Sequence, residues 1–319
     1  MHQYIARRFL TAIPVLLGVS IIIFVIMRIV PGDVALAVMG GGEAAATISE
    51  EDLAAMRHRL GVDRPYHEQY FAWIGGLLRL DAGMSLWTET PVVDEISQRL
   101  PLTIELASLA VILSVCIAIP VGILSAIRQD TWMDYVFRVF TIGGLAVPDF
   151  WLGTLVVLFL VLWFSWLPPV GFAGLLDDPW KNVQQMIWPA TILGYRFSAV
   201  MARMMRSCML EALRQDYIRT AWSKGLRERA VIFRHALKNA VLPVITIAGN
   251  ELGYLLGGAV VMETIFSLPG VGRALVDSVF HRDYPVVQVI ILMVAMVFVF
   301  VNLAVDLLYG WLDPRIRYG

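Results

Sequence analysis

Six long apolar runs constrain the fold of this chain more than any other feature. Each is long enough to cross a bilayer as an α-helix, for which about 20 mostly apolar residues are needed. Because the runs are continuous and do not alternate in polarity at every second residue, they predict helices and not the strands of a barrel. The runs cover approximately residues 9–30, 102–127, 139–166, 187–205, 240–262 and 286–308.

The composition agrees with this pattern. Of the 319 residues, 58% are apolar and 16% are charged, whereas about a quarter of the residues in soluble proteins are charged. We therefore predict an all-α, polytopic membrane protein with six transmembrane helices. The two cysteines and five histidines show no metal-ligand spacing, and no phosphate-binding loop is present. The sequence predicts no metal site, no cofactor bound by this chain and no catalytic centre.

Two of the runs allow an alternative interpretation. The third is interrupted by Gly143, Gly144, Pro148 and Asp149, and it predicts one kinked helix, because two spans would move the later basic segment to the opposite side of the membrane. The first run follows two arginines, as a secretory signal does, but its apolar core is too long for a typical signal. We expect it to be retained as a helix.

Short basic loops set the orientation, since positive charge near span ends favours the cytoplasm. We expect both termini in the cytoplasm, with residues 1–30 as tail and first helix, 31–99 as an extracytoplasmic segment, and 100–319 as a five-helix core with a cytoplasmic loop at 206–239. The basic residues outside that loop that set this orientation are Arg7, Arg8, Arg128, Arg138, Arg315 and Arg317.

The segment 31–99 is the one sizeable region outside the apolar runs. Ser49 and Asp52 are typical of a helix N-terminus, and the helix that they start is expected to run through Leu60 and end at Gly61. Residues 71–80 predict a second helix with an apolar face. The segment is too small for an enzyme domain, so we interpret it as a lid or docking surface.

The loop at 206–239 predicts a hairpin of two short helices joined near Gly225. Apolar residues recur at helical spacing on both sides of this glycine, and basic residues fill the remaining face. Such a hairpin either lies on anionic lipid or inserts into a groove on a protein, and the aromatic residues favour the second possibility. The two apolar stripes are Leu213, Tyr217, Ile218, Ala221, Trp222 and Leu226, and then Ala230, Phe233, Ala236, Leu237 and Ala240.

Several short motifs occur together in a specific order along the whole chain. They are Pro31-Gly32-Asp33, Leu60-Gly61-Val62-Asp63, Asp81-Ala82-Gly83-Met84-Ser85, Leu100-Pro101 with Thr103 and Glu105, Arg219-Thr220-Ala221, Gly225, His235-Ala236-Leu237-Lys238-Asn239, Glu263-Thr264-Ile265-Phe266 with Pro269-Gly270, Arg282-Asp283-Tyr284-Pro285, Asp306-Leu307-Leu308-Tyr309 and Asp313-Pro314-Arg315. In this order they resemble the permease subunits of bacterial binding-protein-dependent ABC importers, in the dipeptide, oligopeptide and nickel branch.

The resemblance implies a type I ABC importer permease fold in the bacterial inner membrane. The chain would form half of a translocation pathway with a second homologous permease, and one or two kinds of ATPase subunit would hold ATP and Mg. An extracytoplasmic substrate-binding protein and membrane lipid are further expected partners, and nucleic acid is not. The hairpin residues that the resemblance implies for ATPase coupling are Asp216, Tyr217, Arg219, Thr220, Ala221, Trp222, Lys224, Gly225, Leu226, His235, Leu237 and Asn239.

This sequence departs from the family pattern at three positions in the hairpin. Arg219 stands where the general importer motif has Glu, and Lys238 where it has Pro; the peptide branch commonly makes both changes. Trp222 occupies a position that is more often Arg in that branch.

Four ionisable residues fall at membrane depth, where each needs a partner or an aqueous lining. Glu105 lies near Pro101 and is interpreted as structural. Asp149, Arg196 and Glu251 either line a polar translocation path or pair with each other. Gly249, Gly253 and Gly257 recur at every fourth residue, which predicts close helix packing, either within the chain or against a partner permease.

Two other classes of function remain open at this point. A self-sufficient ion-coupled transporter or channel would use the charges in the spans as a relay, but it leaves the basic hairpin unexplained. An intramembrane enzyme would use polar residues such as Asp149, Ser198 or Glu251, but no histidine or metal set accompanies them.

Overall fold

A computed structural model describes residues 2–29, 32–39 and 48–312 of the chain. The predicted positions Val30, Pro31, Asp313, Pro314, Arg315 and Arg317 lie outside these residues, as do the side chains of Arg7 and Arg8. The described part is helical apart from its loops and one isolated bridge between Met84 and Pro91. The first eight helices are α1 (His2–Ile29), α2 (Val34–Val38), α3 (Glu50–Leu60), α4 (Tyr66–Leu78), α5 (Val92–Ile127), α6 (Trp132–Ala146), α7 (Asp149–Phe164) and α8 (Pro179–Leu213).

The second half continues as short helices followed by one long one. These are α9 (Asp216–Ser223), α10 (Glu228–Ala230), a π-helical stretch Val231–Ala236, α11 (Leu237–Ala240), α12 (Leu242–Leu256), α13 (Val260–Ile265), α14 (Val271–Phe280) and α15 (Tyr284–Leu312).

Among the described residues, three helices are long and apolar enough to cross a membrane by themselves, at Leu10–Ile29, Val92–Ile127 and Tyr284–Leu308. Two bent pairs raise the number to five when each pair is taken as one span. These are α6 with α7, bent by 96°, and the helix Glu228–Ala240 with α12, bent by 50°. The predicted run 187–205 lies inside the 35-residue helix α8. The all-α, polytopic fold is confirmed, and the count of six spans stays a prediction.

The kink predicted in the third run is present and sharp. Helix α6 ends at Ala146, and Pro148 precedes α7. Proline has no N–H to donate, and the N–H of Val147 still donates to the carbonyl of Gly143 at 3.2 Å. The chain therefore turns here without exposing an unpaired donor at these two residues.

The fifth run differs from its prediction. A continuous helix over 240–262 was expected, but α12 ends at Leu256 and α13 begins at Val260. The intervening Gly258 has a φ of +113°, which glycine adopts without steric cost and which interrupts a helix. The span is therefore a broken one.

The described residues divide into two compact units, of which one comprises residues 102–270 and 297–312. Its core is a single hydrophobic cluster contributed mainly by α5 and α8, and by the segment 218–268. Helices α5 and α8 approach closely at two glycines. A Cβ on Gly122 would lie 2.5 Å from Cβ of Met205, and one on Gly194 would lie 3.0 Å from Cβ of Leu113. Backbone contact at small residues is how helices pack tightly inside a membrane.

The second compact unit comprises residues 2–101 and 271–296. Helix α3 starts and ends as predicted, with Ser49 accepting from the N–H of Asp52 and Gly61 in the left-handed conformation. Helix α4 begins at Tyr66, five residues before the prediction for it, because the carbonyl of Pro65 accepts the N–H groups of Glu68 and Gln69.

Two motifs from distant parts of the chain meet in this second unit. The hydroxyl of Ser85 donates to the carboxylate of Asp283, which is buried. The same Ser85 oxygen accepts the N–H of Thr88 at 3.0 Å. The two motif residues therefore have a structural role in holding the loop after α4 against the start of α15.

Candidate functional site

The hairpin at 206–239 is anchored by its inner face. Ile218 and Ala221 on α9 are buried, and so are Val231 and Ala236 on the returning helix. All four belong to the hydrophobic cluster that contains the cores of α5 and α8. Short helices have little stability alone, so this burial is what fixes the hairpin.

A left-handed glycine makes the turn at the tip. Gly225 has a φ of +72°, its N–H donates to the carbonyl of Trp222 at 2.9 Å, and the N–H of Leu226 donates to Ala221 at 3.4 Å. This pair of bonds is a Schellman motif, which satisfies the last carbonyls of α9. A Cβ at Gly225 would meet no atom within 4 Å, so the backbone conformation is what requires glycine here.

The outer face of the hairpin carries exposed aromatic and basic side chains together. Tyr217 is 40% exposed, Trp222 47% and Phe233 58%. Single exposed apolar residues are common, but aromatic groups clustered among cations are typical of binding surfaces. The exposed basic residues of the same segment are Arg214, Arg219, Lys224, Arg227, Arg229, Arg234 and Lys238.

One side-chain bond joins the two arms of the hairpin. The amide of Asn239 donates to the hydroxyl of Tyr217 at 3.0 Å. Arg219 and Asp216 form a further ion pair at 3.3 Å on the surface of α9, but an exposed pair of this kind contributes about 0–1 kcal/mol. The Tyr217–Asn239 bond is therefore the more specific of the two contacts.

The remaining predicted hairpin residues have different environments. Thr220, Lys224 and Leu226 are exposed, and His235 and Leu237 are half-buried. The hydroxyl of Thr220 donates to the carbonyl of Asp216 at 3.0 Å, within α9. Each predicted apolar stripe is thus divided between the core and the surface. The buried members are Ile218, Ala221, Ala236 and Ala240, and the exposed ones are Tyr217, Trp222, Leu226 and Phe233.

A buried ionic cluster lies where α8 enters the hairpin. The carboxylate of Asp134, whose side chain has no exposed surface, accepts two bonds from Arg206, both at 2.9 Å. Arg138 and the hydroxyl of Ser125 also donate to it, as does the N–H of Asp130 at 3.0 Å. Sequence reasoning missed Asp134. The sequence feature that could have revealed it is an acidic residue at the start of an apolar helix, four residues before an arginine.

The three predicted pathway residues come close to one another. Asp149 at the start of α7 and Arg196 in the middle of α8 form an ion pair. Arg196 also acts electrostatically on Glu251 of α12, whose carboxylate makes no hydrogen bond within the part of the chain that the structure describes. The Arg196 side chain keeps 45% of its surface exposed. The cluster is compatible with both interpretations of these residues, namely that they pair with each other and that they line a translocation path.

A second buried carboxylate was also missed. Glu263 is fully buried and accepts a bond from the hydroxyl of Thr103 at 3.2 Å. Gly270 lies so close that a Cβ there would be 2.2 Å from Cδ of Glu263. All three residues belong to motifs noted in the sequence, and their proximity gives those motifs a packing role. Glu105, two residues after Thr103, is half-buried on α5.

The glycines of α12 face the last helix of the same chain. A Cβ on Gly249 would lie 2.2 Å from Val305, and one on Gly253 would lie 3.0 Å from Phe298. Gly257 follows the end of α12, where its N–H donates to Gly253 at 3.2 Å. The structure therefore places the first two against α15.

These features define a helical membrane protein with a projecting, aromatic and basic hairpin. The chain belongs to the family of binding-protein-dependent transport system inner membrane components, whose model matches residues 118–318. The model for the N-terminal part of such membrane components matches residues 1–107.

Relatives match over the full length. Dipeptide transport system permease protein DppB of Alkalihalophilus pseudofirmus is 41% identical over 338 residues, covering 100% of both chains. Oligopeptide transport system permease protein AppB of Bacillus subtilis is 40% identical over 321 residues, and glutathione transport system permease protein GsiC of Escherichia coli is 38% identical over 318, again covering 100% of both chains. A chain from the crystal structure of an amino acid ABC transporter with histidines matches with a TM-score of 0.44 and 18% identity, over 70% of this chain and 94% of that one, a likeness too weak for inference.

Family membership decides between the classes of function. The chain is a permease subunit of an ATP-driven importer and a multi-pass protein of the inner membrane, and it works with a separate ATPase subunit and a substrate-binding protein. The prediction of a non-enzymatic permease is confirmed. A self-sufficient transporter and an intramembrane enzyme are not supported. Among the described residues, no group of three His, Cys, Asp or Glu side chains is arranged to hold a metal ion.

Proposed function

We propose that this permease imports peptides or closely related small solutes. The relatives named for dipeptides, oligopeptides and glutathione all handle compounds with peptide bonds and charged ends. The polar cluster of Asp149, Arg196 and Glu251 supports this proposal, because it offers both signs of charge inside an otherwise apolar helical unit. A zwitterionic solute needs both signs along its path.

The hairpin is the surface on which an ATPase subunit docks. The observation that carries this assignment is its division into two faces, one buried in the chain's own core and one bearing exposed Tyr217, Trp222 and Phe233. A docking element must be held firmly on one side and be accessible on the other. ATP and Mg are bound by the ATPase, which is present as one or two kinds of subunit.

The orientation follows from the same assignment. An ATPase acts in the cytoplasm, so the hairpin and both termini are cytoplasmic, as the distribution of arginines favours. Residues 31–99 then lie on the outer side, where a substrate-binding protein delivers the solute. A second homologous permease completes the pathway, and membrane lipid surrounds both.

Substitutions at the hairpin tip test the docking proposal. In the assembled transporter, Trp222→Ala and Gly225→Leu are expected to reduce ATPase co-purification and substrate-stimulated ATP hydrolysis at least tenfold, because interface aromatic residues contribute about 2 kcal/mol or more. Insertion of the permease into the membrane should be unchanged.

The matched controls lie away from the hairpin. Trp180→Ala removes a more exposed tryptophan, and Gly171→Leu introduces a side chain at another glycine with a positive φ and free space. Wild-type association of both hairpin variants, or an equal loss in the controls, would contradict the proposal. Uptake of radiolabelled dipeptide, in competition with glutathione and free amino acids, tests the substrate class separately.

A further inference from the structure

The unit formed by residues 2–101 and 271–296 contains a polar cavity of about 320 Å³. Its wall is built from the last turn of α1, the loop 58–64, α4 and the first turns of α15. The end of the candidate span Leu10–Ile29 and the start of the candidate span Tyr284–Leu308 both contribute to this wall. The cavity therefore lies at the membrane–water interface, at the depth of lipid headgroups.

Three buried nitrogen atoms in the cavity wall have no hydrogen-bond partner among the described residues. They are Nη1 of Arg28, Nε1 of Trp73 and Nε2 of Gln288. Gln288 is only 3% exposed, so bulk water does not reach its amide. An unsatisfied buried donor costs about 1–3 kcal/mol. Three buried unpaired donors, with no buried unpaired side-chain acceptor among the described lining residues, fit a ligand that is rich in acceptors.

The cavity wall is also positively charged. Its basic residues are Arg28, His58, Arg59 and Arg64, of which His58 pairs with Asp63 at 2.8 Å, and no Asp or Glu is among the residues that line the cavity. A partly buried guanidinium is stabilised by a counter-charge, which a neutral ligand does not supply. The complementary ligand is therefore an anion.

Arg28 in particular is held without a carboxylate partner in the described part of the chain. Its Nε and Nη2 donate to the neutral amide oxygen of Gln69 at 3.2 and 2.9 Å, and its guanidinium lies 4.2 Å from the centre of the Phe24 ring. Both contacts orient the side chain and leave its charge uncompensated. Its free Nη1 remains for a ligand.

Two of the three donor residues, Arg28 and Trp73, are held in place by contacts within the chain. The amide of Gln69 donates to the carbonyls of Val62 and Arg64 at 3.1 and 2.8 Å, which ties the loop 58–64 to α4. The ring of Trp73 stacks on Phe24 with centroids 6.3 Å apart. A preorganised set of donors binds a ligand with less loss of conformational freedom.

We propose that this cavity binds the phosphate group of a membrane phospholipid. A phosphodiester carries one negative charge on two non-bridging oxygens, and these can accept bonds from Arg28, Trp73 and Gln288 together. A soluble phosphate offers the same oxyanion chemistry. The lipid is the favoured source, because headgroup phosphates are concentrated at the depth where α1 ends. The bound lipid would tie the loop 58–64 and the start of α15 to the membrane surface.

Lipid retention by the assembled transporter tests this site. The complex is purified from membranes containing phosphatidylglycerol, exchanged extensively into detergent, and assayed for phospholipid retained per permease chain by native mass spectrometry. Gln288→Leu removes one donor at nearly constant side-chain size, and Trp73→Phe removes another and keeps an aromatic ring, although a smaller one. Each is expected to lower the retained fraction about five- to tenfold, since a tenfold change corresponds to about 1.4 kcal/mol.

Matched substitutions outside the cavity serve as controls. Trp87→Phe and Arg79→Gln change residues of the same unit that do not line the wall, and they should retain lipid as the wild type does. Unchanged thermal unfolding and ATPase co-purification show that the variants are folded. Equal lipid retention in wild type and both cavity variants would overturn the proposal.

A second arm separates the two sources of phosphate. Inorganic phosphate is titrated into the delipidated complex while tryptophan fluorescence is followed in wild type and Trp73→Phe. Phosphatidylglycerol, added back at micromolar concentration, should produce a change in tryptophan fluorescence that depends on Trp73. Inorganic phosphate should produce the same change only at far higher concentration. The reverse order of affinities would show that the ligand is a soluble oxyanion and would reject the lipid.

Discussion

The side-chain amide of Asn239 donates a hydrogen bond to the hydroxyl of Tyr217 across the two arms of the hairpin. The two residues are 22 positions apart, on α11 and α9. Both were assigned to ATPase coupling from the family resemblance, and the bond adds a role within the chain. It fixes the returning helix relative to the helix that carries Trp222.

Removing this bond should loosen the hairpin and leave its surface chemistry nearly unchanged. Tyr217→Phe deletes only the hydroxyl, and the net contribution of such a bond is about 0.5–1.5 kcal/mol. We expect a two- to tenfold loss of substrate-stimulated ATP hydrolysis in the reconstituted transporter. Tyr135→Phe is the matched control, because it deletes the hydroxyl of an exposed tyrosine on α6, outside the hairpin. A Tyr217→Phe variant with full activity would show that the bond is dispensable.

Loss of the Asp134 charge should destabilise the unit that contains the hairpin. Asp134→Asn would leave Arg206 and Arg138 facing each other without a carboxylate. Breaking a buried pair costs about 3–5 kcal/mol, and the lower end applies because both arginines keep some solvent contact. Thermal unfolding in detergent should show a midpoint lower by roughly 5–10 °C.

The control for this experiment is Asp130→Asn. Asp130 pairs with the same Arg138 at 3.3 Å, but its carboxylate is exposed, so a shift near zero is expected. Equal midpoints for Asp134→Asn and Asp130→Asn would contradict the assignment of a buried structural cluster.

The close crossing of α5 and α8 should not tolerate a side chain. Gly122→Val places methyl groups beyond a Cβ that already lies 2.5 Å from Met205 and 2.8 Å from the carbonyl of Ala202. Overpacking of this kind costs about 1–3 kcal/mol, and we expect lower yields of folded protein and a lower unfolding midpoint. Gly18→Val is the matched control in α1, where a Cβ meets no atom within 4 Å.

The ion pair of Asp149 and Arg196 should be essential for transport, so that the loss of either charge alone is harmful because it leaves the other charge without its partner. Arg196→Gln alone leaves Asp149 without its partner at membrane depth, which is costly. Transport of labelled dipeptide should fall at least tenfold in each single neutral variant. The double variant Asp149→Asn with Arg196→Gln distinguishes the two roles of the pair.

The outcome of the double variant depends on what the charges do. Recovery of folding without recovery of transport would assign these residues to the solute path. Recovery of both would restrict the pair to a structural role. Glu251→Gln, measured in parallel, shows whether the third member of the cluster acts with them.

Local signals predicted the local structure well. The cap at Ser49, the turn at Gly61 and the turn at Gly225 follow from side-chain and backbone preferences of a few neighbouring residues. The kink between α6 and α7 was expected for the same reason, because Pro148 cannot donate the bond that continues a helix.

Long-range relationships were not accessible in this way. Nothing in the order of residues brings Asp134 to Arg206, 72 positions away, or Thr103 to Glu263, 160 positions away. The sequence analysis used Arg138 only as one of the basic residues that set the orientation and did not consider Asp134, since a single sequence shows how polar a residue is and not which partner neutralises it. The break at Gly258 was missed because apolar residues continue on both sides.

The inner face of the hairpin is part of the same continuous hydrophobic cluster as the interiors of α5 and α8. The hairpin that carries the exposed indole of Trp222 is therefore joined to α5 and α8 by directly packed side chains and not by a flexible linker. If an ATPase displaces the tip as proposed, we expect the displacement to be transmitted to the helices packed against it, because a close-packed interior resists compression.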